Sequence, residues 1–296
     1  MRDIWNPGSF HLSASAVVLV IAVAWMVTLL HFVMEPWRWR FAYLPASENR
    51  DDWRKVRDSL YCTAFATYLL PFKLGLPLRV ALLRGSARLD LRYIGAVLAL
   101  DGLISLVVWS MLAAVCVWVA ALRWQPPTYV WIAGALGTAG LGALLLFRRN
   151  LRGRLAAHWR EAMAAFARPW LRIAKASTIV GLDVLSYGVR HALLVFLVTG
   201  NPADMLPGAA IGIVATFAGI VSGLPMGLLG YDATLVALLG IAGVPGEHAL
   251  FVALINRGLN IGSAVLLGVP ASARLGMGSR IPSILARLRE LAHGKH

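Results

Sequence analysis

Charge is scarce in this chain, and acidic charge is the scarcest. Only 14% of the 296 residues are charged, and 28 Lys and Arg stand against 14 Asp and Glu. Soluble domains carry about 25% charged residues, so the composition argues against a water-soluble fold. The basic residues form clusters between apolar runs rather than one compact basic domain, so no nucleic-acid partner is expected. Cysteine is nearly missing. Cys62 and Cys116 lie in apolar surroundings, match no metal or redox spacing, and read as packing residues. There is no H-E-x-x-H, no P-loop and no G-x-S-x-G, and no His, Cys and carboxylate cluster has ligand spacing. No metal, no cofactor and no catalytic residue is therefore expected, and the chain reads as non-enzymatic. The Gly-rich stretch "AGALGTAGLGAL" (133–144) has no strand before it and reads as small-residue helix packing. Small-residue faces of this kind also permit a homo-oligomer. The N-terminal apolar run, about 12–34, exceeds the roughly 7–15 residues of a signal h-region and is not followed by an A-x-A-like site.

What fills the chain is apolar length. Hydrophobic residues make up 59% of it, and the mean hydropathy is +0.70. A membrane helix needs about 20 apolar residues, and residues 10–34, 92–122, 128–147, 176–199 and 247–270 qualify. The first ends at "EPWRWRF", read as an interfacial anchor, and residues 41–58 read as a polar surface segment. Trp159, Met163, Phe166 and Trp170 recur at helical spacing among arginines, so about 151–172 reads as an amphipathic surface helix; a soluble connector helix is the alternative. The tail, 271–296, is basic.

Lys and Arg concentrate in 35–58, 73–92, 148–175 and 271–296 and nearly vanish from 123–127, 200–206 and 244–247. The first set is then cytoplasmic, which puts the N-terminus outside and the C-terminus inside. On that assignment 59–84 starts and ends inside, and 207–243 starts and ends outside. Each must be a hairpin, re-entrant or made of two short crossings. Each has a break near its middle: Pro71, Gly75 and Pro77 in one, Pro225, Gly227 and Gly230 in the other. Residues 10–122 and 176–270 thus repeat helix, broken hairpin, helix with opposite sense, joined by 128–147. The fold class is all-α polytopic membrane protein, a single transmembrane domain with an inverted repeat, the architecture of transporters. Broken helices at membrane depth occur where they are buried in protein or line a wet cavity. A tight turn between packed helices is the plainer reading of each break.

Asp101, Asp183, Arg190, Asp232 and Arg257 fall within the spans. Each costs about 2.5–3.5 kcal/mol at a helix centre on insertion scales. Asp183 and Arg190 lie two turns apart on one face, and Asn256, Arg257 and Asn260 make a polar patch. Repeat symmetry makes Asp101 and Arg257 a candidate pair. Guanidinium suits phosphate, so Arg257, with Arg79 and Arg190, reads as a headgroup contact. A structural salt bridge is the competing account of these charges, and the lone His158 and His191 read as packing residues.

"LLPFKLGLPLRVALLRG" (69–85), Asp101 after it, and "GLPMGLLGYDATLVALLGIAGVPGEHALFVALINRGLNIGSAVLLG" (223–268) resemble the lysylphosphatidylglycerol synthase transmembrane region, a flippase-like family. The resemblance covers roughly residues 15–270. Its more specific parts are Pro71, Gly75 and Arg79 at four-residue spacing and the series Pro225, Gly230, Arg257. Leu76 stands where the family usually has an acidic residue, Gly102 where an arginine usually follows the aspartate, and Asp232 where a glutamate is usual. One N-terminal span and the aminoacyl-transferase domain of the two-part synthases have no counterpart in the resemblance. It implies a lipid flippase or scramblase of a bacterial inner membrane whose partner is a lipid with an anionic headgroup. A non-transporting lipid-binding or accessory protein is the alternative.

Overall fold

Apolar stretches bounded by proline, glycine and polar residues set the helices. The computed structural model describes residues 12–44, 50–69, 75–124, 169–222 and 230–277. These form α1 (Ala14–Arg38), extended by a π-helical turn (Trp39–Tyr43), then α2 (Arg50–Leu69), α3 (Gly75–Gly85) and α4 (Leu91–Trp124). After them come α5 (Pro169–Thr199), a 3-10 turn (Pro202–Asp204), α6 (Met205–Val221), α7 (Gly230–Ile241) and α8 (Gly246–Arg274). No strand occurs among the described residues. Five helical stretches are long and apolar enough to cross a membrane: Ala14–Tyr43, Leu91–Trp118, Trp170–Thr199, Pro202–Val221 and Gly246–Arg274. The chain is an all-α polytopic membrane protein, as expected. Its outer faces are apolar, with Met26 and Leu254 each 67% exposed. Helices meet their own backbone hydrogen bonds, so such faces suit hydrocarbon.

Both expected breaks separate two helices. α2 packs on α3 across the first, and α6 on α7 across the second. The same local contact closes each. A Cβ at Gly75 would collide with the Thr67 hydroxyl, and one at Gly230 with that of Ser222. The spacing, 67 to 75 and 222 to 230, is identical. Both hydroxyls bond back to their own helix, Thr67 to the Thr63 carbonyl and Ser222 to that of Gly219, each at 2.8 Å. Pro77 sits in the first turns of α3. The span 128–147, most of 151–172, most of the tail 271–296, and Pro71, Pro225 and Gly227 lie outside the described residues.

One expectation is overturned. Residues 50–58 are not a surface segment but the start of α2, where Val56 and Asp58 are buried. Burial is possible because the Asp58 charge is matched. Arg274 of α8 donates to it from Nε at 2.8 Å and from Nη2 at 3.0 Å, and Arg57 donates from Nη2 at 2.9 Å.

α1 and α5 pack side by side at the centre; α8 lies against α2, α7 and α1, and α4 against α5 and α6. Glycines bring α6 onto α5. A Cβ at Gly208 would stand 2.7 Å from Val195, and one at Gly212 would enter the His191 ring. Such small residues let backbones approach where lipid supplies no hydrophobic drive.

Candidate functional site

The polar residues of the spans meet along the inner faces of α1, α5 and α8. At the end of α1, Pro36 cannot donate a backbone hydrogen bond, and the chain widens into the π turn. In a regular helix residues 38 and 43 would lie about 140° apart. The wider turn lets both reach Asp101 of α4. Arg38 Nη2 donates to Oδ2 at 3.0 Å, its Nε lies 2.7 Å from Oδ1, and the Tyr43 hydroxyl donates to Oδ1 at 2.7 Å. The Tyr43 carbonyl is itself held, by Arg172 Nη1 of α5 at 2.7 Å and by the Tyr93 hydroxyl of α4.

At the centre, His31 Nδ1 of α1 donates to Asp183 Oδ1 of α5 at 2.5 Å. The opposite ring nitrogen lies 3.0 Å from the Tyr187 hydroxyl. The ring of Tyr187 also faces Arg190, whose Cζ stands 4.4 Å from its centroid, a cation–π contact. Arg190 Nη1 donates to Asn260 Oδ1 of α8 at 3.0 Å. The side chain is only 1% exposed, yet its Nε and Nη2 have no hydrogen-bond partner among the described residues. Buried guanidinium donors are nearly always satisfied, so this is the site's most unusual feature.

Next to it, His191 Nδ1 donates to its own helix at the Tyr187 carbonyl, 2.7 Å away. That fixes Nε2 as an acceptor, and the Tyr231 hydroxyl of α7 donates to it at 2.6 Å. Asn256 Nδ2 of α8 donates to the same hydroxyl at 2.7 Å. Asn256 Oδ1 is buried without a partner among the described residues. Toward the outside of this cluster Arg257 pairs with Asp232 of α7. On the other flank Arg79 Nη1 of α3 lies 2.6 Å from Glu35 Oε1 of α1.

All eight expected polar site residues therefore lie in this polar belt or on its flanks. Their pairing differs from expectation. Asp101 and Arg257 are not partners: Asp101 is closed by Arg38 and Tyr43, and Arg257 by Asp232. Asp183 and Arg190 share a face but do not bond; Tyr187 stands between them and touches both arms of the arrangement. His191 does more than pack. "EPWRWRF" is not simply an interfacial anchor either, since Glu35 and Arg38 are ion-paired and Trp39 is fully buried, while Trp37 and Phe41 are exposed. Sequence reasoning missed His31, Glu35, Arg38, Tyr43, Tyr187 and Tyr231. Tyr231 was the most findable, since it precedes Asp232 directly after the second break.

Chemically, the belt sets two tyrosine hydroxyls against histidine rings, Tyr187 on His31 and Tyr231 on His191. No group of three or more His, Cys, Asp or Glu with metal-site geometry occurs among the described residues. Among the described residues it offers in Arg190 a buried cation with two donors to spare, held by an amide and an aromatic face. That suits the oxygens of a phosphate. Among known proteins, the family model for the lysylphosphatidylglycerol synthase TM region matches residues 10–268. No match was found among curated proteins or among solved structures.

Proposed function

Given that this chain belongs to the lysylphosphatidylglycerol synthase TM region family and is an integral membrane protein, we propose that it moves a lipid with an anionic or polyprenyl-phosphate-type headgroup across a bacterial inner membrane. It acts as a flippase or scramblase, with no chemical step. Arg190 carries this reading. A guanidinium that is 1% exposed and keeps Nε and Nη2 unbonded is costly unless something anionic visits it. A phosphate needs such a cationic, hydrogen-bonding station to cross about 30 Å of hydrocarbon. Arg257 and Arg79 serve as flanking stations, held by Asp232 and Glu35 between visits.

The packing supports an inverted repeat beneath this site. Exchanging α1–α4 with α5–α8 maps α2 on α8 to α6 on α4, α1 on α8 to α5 on α4, and α3 on α4 to α7 on α8; all are packed pairs. It also matches Arg38 meeting Asp101 with Arg190 meeting Asn260. Basic segments face the cytoplasm in this reading, with the N-terminus outside.

Native mass spectrometry of the purified protein tests the site. Wild type is expected to retain one phosphate-bearing lipid class that Arg190→Ala loses, and equal retention would overturn the assignment. The closed ion pairs at Arg38, Arg79 and Arg257 favour the alternative, a lipid-binding or accessory protein that moves nothing. A vesicle assay following a fluorescent lipid between leaflets separates the two: binding without flipping selects the alternative.

A further inference from the structure

We infer that phosphate binding at Arg190 is linked to protonation of His31, so that the site takes up one proton with each monoanion. The inference rests on the reading of Arg190 as an anion station. It begins with a charge count. In the spans and hairpin arms around the belt, Arg38, Arg79 and Arg257 are closed by Asp101, Glu35 and Asp232. Asp58 is closed by Arg274 and Arg57, so among the described buried charges Arg190 and Asp183 remain, and Asp183 is bonded to His31 rather than to Arg190.

With the His31 ring neutral, the Asp183 carboxylate offsets Arg190 through space, and an entering phosphate would leave the belt one charge negative. With the ring protonated, Asp183 is neutralised across a 2.5 Å contact, and among the described buried charges Arg190 is left uncompensated. A monoanion then restores neutrality. A net charge at membrane depth costs about 2.5–3.5 kcal/mol on insertion scales. The two favoured states are therefore empty with neutral His31 and loaded with protonated His31. The local bonding accommodates both. The Tyr187 hydroxyl, 3.0 Å from Nε2, donates to the neutral ring and accepts from the protonated one. The same tyrosine's ring lies against Arg190, so the proton and anion positions share a wall.

Each helix packed on this part of α1 presents its own groups to the His31 region. α5 presents Asp183, Tyr187 and Arg190; α2 presents Tyr68, in electrostatic reach of Arg190, Glu35 and Asp183. Farther along α1 are Glu35, closed by Arg79 of α3, and Arg38, closed by Asp101 of α4. α8 presents the uncharged Asn260, which accepts from Arg190, and Ser263, which accepts from Trp25 of α1. Histidine is the side chain whose charge ordinarily changes between about pH 5 and 8.

The test uses the full-length protein in phosphatidylcholine nanodiscs and a fluorescent short-chain phosphatidylglycerol, a phosphodiester with no second proton to lose. Wild-type affinity is expected to rise as pH falls from about 8 to about 5.5, by at most about tenfold per unit at its steepest. In His31→Gln the affinity, whatever its level, loses that pH dependence. Independently of any variant, wild type in weak buffer should take up close to one proton per lipid bound. PH-independent wild-type binding without proton uptake, alongside loss of binding in Arg190→Gln, overturns the proton link and leaves the anion station standing. Undiminished binding in Arg190→Gln overturns the station and the link together.

Discussion

Two arginines in this belt invite the same substitution and opposite outcomes. Arg38→Met leaves Asp101, 7% exposed, with the Tyr43 hydroxyl but no counter-charge. Breaking a buried pair in this way costs about 3–5 kcal/mol. Arg190→Met strands no bonded carboxylate, because Asp183 is held by His31, and the proton uptake by His31 inferred above replaces the through-space counter-charge that Asp183 loses. It gives up the Asn260 bond, about 1.5–3 kcal/mol for a charged donor, and the Tyr187 contact, up to about 2 kcal/mol. It also removes two buried unpaired nitrogens, each costing about 1–3 kcal/mol. For Arg190 the gains and losses nearly cancel, so the two variants should differ in unfolding free energy by about 3 kcal/mol. Denaturant unfolding in mixed micelles, followed by tryptophan fluorescence, reads this directly. An equal loss in both variants, or a larger one for Arg190→Met, would make Arg190 a structural cation and remove the reason for placing a ligand on it.

Gly212→Val should separate α6 from α5, since even a Cβ enters the His191 ring; the overpacking is expected to cost about 1–3 kcal/mol in the same assay. Tyr231→Phe removes the donor to His191 Nε2 and the acceptor of Asn256 Nδ2 together. Two buried groups left unpaired should cost about 2 kcal/mol or more, and a loss under about 0.5 kcal/mol would show that this chain of bonds contributes little.

The helices were legible because hydropathy and length decide what can span a bilayer. The breaks were legible because proline and glycine mark them. Pairing was not, because it depends on which faces meet. Repeat symmetry suggested that the helices of Asp101 and Arg257 play equivalent roles, but equivalence is not adjacency: α4 packs on α5 and α6, while α8 packs on α2, α7 and α1. Glu35 and Arg38 were hidden by their neighbours, since a run of tryptophan, arginine and phenylalanine at a helix end reads as headgroup contact. The packing of α5 on that end and the ion partners from α3 and α4 turn it inward. His31 was hidden by solitude, one polar ring in a long apolar run whose partners come from a helix about 150 residues later.

The π turn at residues 39–43 makes this segment sensitive to length rather than to chemistry. Conservative exchanges at its exposed positions, Arg40 and Phe41, leave the path of the backbone unchanged. Deleting one of them would turn the segment into ordinary helix with the arginine and the tyrosine four positions, about 40°, apart, whereas inserting one would carry the tyrosine about 100° further round the axis, away from Asp101. The carbonyl that Arg172 and Tyr93 grip would turn with it. Among relatives that share this arrangement, insertions should therefore be rarer across these five positions than substitutions, and where one occurs Arg38 and Asp101 should change with it.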